Sequence, residues 1–280
     1  MALGCGESPA RPPSLPCTAG DGGCSEGPIG GGGGGGVVVD GGGGATDAGP
    51  GRDVQAMTDA APSETVRVGG RVAVYRALTG IVQNGGTSPA TGWTVSPLGA
   101  LETVQEVDGM GAFALDAVPT TPAGTGRVFG ILASPPGRDL RSFRLFDASA
   151  GTVVMPAVGL DALQSAVAGA MGLVQPEAGH IVLLARESSD PTARGLAGVR
   201  VQPVSEASAV YYDSVLNPES LQLGDPQTGA LGLAVLLNLT APAMGVREVS
   251  LQVTGPTGSV TARVPVLART VTWVTFTPGR

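Results

Sequence analysis

From Glu64 onward the chain alternates: Val66 and Val68, then Val72 and Val74, fall on one side of the backbone while Arg67 and Arg71 fall on the other. A period of two is the signature of a strand with one face inward. Further strands are predicted near 92–95, 101–107, 112–115, 127–134 and 143–147. Between them stand Asn84-Gly85-Gly86, Ser96-Pro97, Asp108-Gly109 and Pro135-Pro136-Gly137, which supply turn chemistry. The period then lengthens, because Leu160, Leu163, Val167, Met171 and Val174 lie three or four apart. That spacing predicts one amphipathic helix, ended by Pro176 and packed as a connector against a neighbouring domain.

Strand periodicity returns near 180–187, 197–203, 210–215, 230–237, 247–254, 259–267 and 270–277. In the last segment Val271, Trp273 and Thr275 oppose Thr272, Val274 and Phe276, so apolar bulk on both faces predicts a central strand. Short strands with frequent turns give an all-β fold of two tandem Greek-key β-sandwiches joined by a short helix. The expected domains are 64–158 and 178–280, with the connecting helix at 159–177.

Residues 1–63 break the pattern. They contain unbroken glycine runs from Gly30 to Gly36 and from Gly41 to Gly44. Such a stretch cannot bury enough apolar surface to offset its ordering entropy, so a disordered Gly-rich tether is expected. It is no phosphate loop, since a P-loop needs Gly-Lys-Ser/Thr and all sixteen basic residues of this chain are arginine.

The formal net charge of −7, with arginines scattered and no basic stripe, argues against nucleic acid as a partner and against binding to anionic lipid by charge. The chain has no run of eighteen apolar residues to cross a membrane. Met1-Ala2-Leu3-Gly4-Cys5 resembles the end of a bacterial lipobox, which implies lipidation at Cys5 and an extracytoplasmic protein. The anchor would lie in the outer membrane or cell surface, and membrane contact would run through it alone. Cys17 and Cys24, with six residues between them, would close a small disulfide in an oxidising compartment or remain two free thiols in a reducing one.

Catalytic chemistry is sparse. The single histidine, His180, opens a strand and reads as a surface or edge residue. Carboxylate pairs suited to glycoside hydrolysis could form from Glu102, Glu106 and Asp108, or from Asp213, Glu219 and Asp225, but the first set reads as a solvent face. No Asp-x-Asp spacing points to calcium, so no metal and no cofactor is assigned. Asn238-Leu239-Thr240 matches a glycosylation sequon, idle in a bacterium. Trp93, Trp273, Tyr211 and Tyr212 are the candidates for a stacking platform. Adjacent on one strand, Tyr211 and Tyr212 should point one inward and one outward, and the outward ring is the candidate ligand contact.

The order Gly198-Val199-Arg200-Val201, Tyr211-Tyr212, Thr228-Gly229-Ala230-Leu231-Gly232-Leu233 and Asn238 is similar to the carboxypeptidase regulatory-like, or transthyretin-like, domain. A weaker version runs from Val107-Asp108-Gly109 to Leu115. The layout of lipobox, Gly tether, β domain, helix and β domain also resembles lipoproteins of myxobacteria. The resemblance implies seven-stranded sandwiches that serve as scaffold or accessory modules without catalytic residues. This chain departs from it at Gln227-Thr228-Gly229, where the family has an acidic turn residue. The expectation is a non-catalytic, surface-tethered binding or adhesion module for an envelope or extracellular ligand, protein or carbohydrate. The alternatives are a structural envelope-assembly lipoprotein that pairs with a partner protein, and an accessory module of a hydrolase.

Overall fold

The computed structural model describes residues 64–83, 85–123, 126–190, 192–204, 208–214, 221–223 and 226–278. The segment 1–63, where a tether, a lipidation site at Cys5 and a disulfide between Cys17 and Cys24 are expected, lies outside the described residues. The chain is mostly β-strand, and Leu160–Ala168 is its single α-helix among the described residues.

The first half is built on two long strands. β1 (Glu64–Tyr75) pairs antiparallel with β5 (Ala112–Ala123) and parallel with β8 (Thr152–Val158), and its end meets the short β2 (Thr87–Ser88). Opposite them, β3 (Thr94–Pro97) pairs with β4 (Gln105–Glu106) and with β6 (Gly126–Ser134), which in turn pairs with β7 (Arg141–Asp147). The even valines of β1, Val68 and Val72, point inward as the alternation predicts. They meet Trp93, Val95, Phe129 and Ile131 from the opposing strands in one core. β5 changes partner at Thr120, pairing with β1 up to that residue and with β6 from Thr121. Arg127 holds this corner, donating from Nε to Thr120 Oγ1 at 2.8 Å and from a terminal nitrogen to the Thr120 carbonyl at 2.9 Å.

In the second half, β9 (Gly179–Ala185) pairs with β13 (Leu233–Leu239), which pairs with β11 (Val210–Asp213) and through it with β12 (Leu221–Leu223). A separate three-stranded sheet of β10 (Arg200–Pro203), β14 (Arg247–Gly255) and β15 (Gly258–Val266) covers one face of this sheet. Ile181, Leu183, Leu236 and Tyr212 meet Val201, Val249, Leu251 and Val264 between the two layers. The helix, α1, covers the other face, where Leu163 and Val167 pack on Val182, Val235 and Trp273. Strands covered on both faces should be apolar throughout, and every residue of β9 is buried.

β16 (Thr270–Phe276) lies between β7 and β9 and is parallel to both. The ribbon β7–β16–β9 therefore runs one hydrogen-bonded sheet through both predicted domains, past the boundary at 159–177, and the described residues fall within one compact unit. The central place expected for 270–277 follows from this.

Several details differ from the sequence reading, and of the strand expected over 101–107 only Gln105–Glu106 forms. β8 is an additional strand at 152–158, where Pro156 is tolerated because β8 pairs on one side only. β2 and β12, of two and three residues, are likewise additional. The helix stops at Ala168 and does not reach Val174. Met171 enters the left-handed region at φ 56, and Gly172 N–H returns to the Val167 carbonyl at 3.0 Å. Gln164 then takes over the chain, donating to the Gly172 carbonyl at 2.8 Å and accepting the Val174 N–H at 2.9 Å.

Candidate functional site

The sequence candidates are almost all absorbed by the framework. Tyr211 and Tyr212 do not divide into one inward and one outward ring, because both faces of β11 are covered. Tyr211 packs beneath α1 at 7% exposure, and Tyr212 lies between the sheets at 4%. The Tyr212 hydroxyl accepts the Val201 N–H and donates to the Val201 carbonyl, each at 2.9 Å, and so ties β11 to β10. Trp93 and Trp273 are also buried, which leaves none of the four as a stacking platform.

Asp213 is 1% exposed, and its partners are backbone amides. Its carboxylate accepts N–H groups from Gly229 at 3.0 Å, Leu231 at 2.7 Å and Leu233 at 2.8 Å. Gly229 is required here, since a Cβ would stand 2.7 Å from the Asp213 carbonyl oxygen. Thr228 completes the turn, accepting the Val199 N–H at 3.0 Å and donating to the Leu196 carbonyl at 2.8 Å. The turn at 228–233 is thus held by an acidic side chain from β11. Glu219 and Asp225, its suggested catalytic partners, lie outside the described residues.

His180 is not at the surface or an edge: it is fully buried in β9, with β13 on one side and β16 on the other. Its Nδ1 accepts the Asn238 N–H at 3.3 Å, and Nε2 is buried without a hydrogen-bond partner. Burial drives its pKa down to about 4, with the Gln175 backbone pulling weakly the other way. Asn238, in the left-handed region at φ 57, accepts the Gln175 N–H and donates to the Leu173 carbonyl, so the sequon amide is committed as well. In the first half, Glu102 and Glu106 are exposed as expected, and Asp108 accepts the Met110 and Ala112 N–H groups of its turn. No group of three His, Cys, Asp or Glu able to hold a metal occurs among the described residues.

A different set of residues, exposed or part-buried apart from the buried Arg186, gathers elsewhere. Beside the ribbon, a cleft of about 270 Å³ is lined by Arg71 of β1, Arg144 of β7 and Arg186 just beyond β9, with Tyr75, Asp190 and Thr275 around them. Arg144 donates to Thr275 Oγ1 at 3.0 Å and lies 5.2 Å from the centroid of the Phe146 ring. Arg186 donates to the Ala193 carbonyl at 2.8 Å. Burial lowers the pKa of Arg144 and the neighbouring Arg186 lowers it further. Burial also lowers that of Arg186, opposed by Tyr75 and Asp190. The Asp190 carboxylate accepts the N–H and hydroxyl of its own neighbour Thr192, each at 2.7 Å. Among the described residues neither Arg71 nor Arg144 has a carboxylate partner.

At the opposite end of the ribbon a larger cleft, about 540 Å³, holds Arg141 and Arg269 together with Asp139 and Glu177. Its charges cancel. Glu177 stands 3.7 Å from the Arg269 guanidinium, and Asp139 accepts the first amide of α1 from Leu160 at 2.7 Å.

Sequence reasoning missed the first cleft because its arginines come from three strands far apart in the chain. The available signal was local: Arg144 interrupts Ser142-Phe143-Arg144-Leu145-Phe146 and Arg186 follows an unbroken apolar run. Comparison of the whole chain with protein-family models and with curated proteins returns no match.

Proposed function

We propose that the chain is a non-catalytic binding module tethered to the bacterial cell surface through a lipid on Cys5, with 1–63 as its flexible stalk. The two β-sandwich halves, 64–158 and 178–280, form a rigid scaffold of the carboxypeptidase regulatory-like kind, and the helical segment 159–177 covers one of them. One observation carries the reading. His180, Asp213, Tyr212 and Asn238 are engaged in holding strands and turns, whereas the cleft beside the ribbon presents the exposed Arg71 and the part-buried Arg144, neither with a carboxylate partner among the described residues. A scaffold with a polar cleft, and with no poised acid–base pair among the described residues, suits recognition.

The test is intact-mass analysis and membrane fractionation of the full chain and of Cys5→Ala in a bacterial host. Acylation and membrane recovery, both lost in the variant, are the expected result. An unacylated chain that partitions identically with and without Cys5 overturns the tether.

A second reading, an envelope-assembly protein that recruits a partner by strand addition, draws on β15. This strand of nine residues pairs with β14 alone and is exposed along its first half, Val260 included. Pro265 and Arg263 guard its second half against such pairing.

A further inference from the structure

We propose that two copies of this chain pair edge to edge through β15, antiparallel about a two-fold axis at Val260. The inference rests on the strand-addition reading of β15 and names the partner as a second copy.

The phase of the backbone opens one side of β15. On β14 the Ser250 carbonyl accepts the Val204 N–H, at the end of β10, at 2.8 Å, so Ser250 is turned towards β10. Backbone groups alternate in direction along an antiparallel strand, which turns Val249, Leu251 and Val253 towards β15. Their partners Val264, Ala262 and Val260 face back. The residues between these partners, Ser259 and Thr261 among them, therefore aim N–H and C=O away from β14. Since β15 pairs with β14 alone, no backbone partner among the described residues takes the outward groups of Ser259 and Thr261.

The open run has a defined end. Pro265 has no N–H, and its carbonyl accepts the Thr272 hydroxyl at 2.7 Å. Arg263 stands before it, in an ion pair with Glu248 at 3.7 Å. What is left for a neighbouring strand is the stretch from Gly258 to Thr261, every residue of it exposed.

This short edge is complementary to itself. With Val260 set against Val260 of the second copy, Ser259 exchanges both N–H···O bonds with Thr261 of the second copy, and Thr261 does the same with Ser259 there. The pair on the axis is then the non-hydrogen-bonded kind, which brings side chains closest, and it covers a valine that is 40% exposed in the single chain. Gly258 falls opposite Ala262, and Arg263 opposite Thr257, so the two guanidiniums stay apart. The chain as a whole carries a net charge of −7, yet residues 256–262 carry none. The charges that ordinarily keep like edges from meeting are missing from this one. A strand-adding partner must itself offer an open edge, and a second copy brings one of matching phase.

The test is sedimentation velocity of the full chain over a concentration series, joined to hydrogen exchange. In dilute solution the Ser259 and Thr261 amides should exchange fast; as concentration rises the chain should sediment as a dimer and the same amides should slow. Thr261→Pro removes an outward N–H without touching the β14 ladder, and should weaken the dimer by about tenfold or more. Val260→Lys and Val260→Glu should each stay monomeric where the parent dimerises, and their mixture should dimerise again. That charge pair keeps the test valid should the proline perturb folding. A chain monomeric at every concentration, or a dimer that survives the proline and both charges, overturns the self-pairing and leaves addition of another protein's strand standing. Slow exchange of both amides in the dilute monomer would mean a closed edge and would overturn both.

Discussion

The turn gathered around Asp213 and the cleft around Arg144 both bring polar groups out of water, and they do so on opposite terms. At Asp213 each carboxylate oxygen meets backbone N–H groups, so the desolvated charge is answered from within the chain. At Arg144 the partners are the Thr275 hydroxyl and the face of the Phe146 ring, and the guanidinium of Arg186 opposes its charge. Buried polar groups of the first kind hold a fold together, and removing one leaves its partners stranded. Groups of the second kind, held by few contacts and partly in water, add less to stability.

The contrast can be broken by substitution. The largest effect is expected at Asp213→Ala, which strands two buried amides and one part-buried amide and should destabilise the protein by about 4 kcal/mol in urea denaturation. A loss below about 1 kcal/mol would mean that the turn at 228–233 holds itself.

Next comes pH. His180 has its pKa lowered from 6.5 to about 4 in the folded state, so between those values the unfolded chain binds the extra proton. Stability is therefore complete above about pH 6.5 and falls as the pH drops through the window, by about 3 kcal/mol in all. Stability measured across that range should lose this component in His180→Leu, and an unchanged profile would count against the buried neutral ring.

Tyr212→Phe leaves both the N–H and carbonyl of Val201 without their partner and should cost about 2 kcal/mol by the same assay. The smallest effect is expected in the cleft. Arg144→Gln should change stability by less than about 1 kcal/mol, since relief from Arg186 offsets the missing hydrogen bond to Thr275 and the missing cation over the Phe146 ring. If Arg144→Gln were as damaging as Asp213→Ala, the cleft would belong to the framework and the contrast would disappear.

Much of the fold was legible where one physical signal dominated. β1 and β14 alternate cleanly, and the two-sided apolar content of β16 pointed to its central position. β8 was hidden because Pro156 reads as a break, and only its place at a sheet edge makes the proline harmless. The far end of α1 was hidden because its apolar period continues to Val174, while Gln164 and the left-handed Met171 turn the chain away. Tyr212 and His180 were misjudged for one shared reason: a strand's second face is assigned to solvent until the covering layer is known, and here the β10–β14–β15 sheet and α1 cover both sides. The cleft was illegible because nothing in the spacing of Arg71, Arg144 and Arg186 announces that residues of β1, of β7 and just beyond β9 line one cleft.

The parallel ribbon also has a consequence for how the chain is made. β7 and β9 meet only through β16, so until residues 270–276 leave the ribosome both present unsatisfied amides and carbonyls along an apolar strand. Closure waits for a contact reaching back from residue 270 to residue 141, a span that slows folding and lengthens the time those edges are open. A chain stopped before Thr270 would keep most of its strands and still carry two adhesive seams, and its characteristic failure would be aggregation more than unfolding.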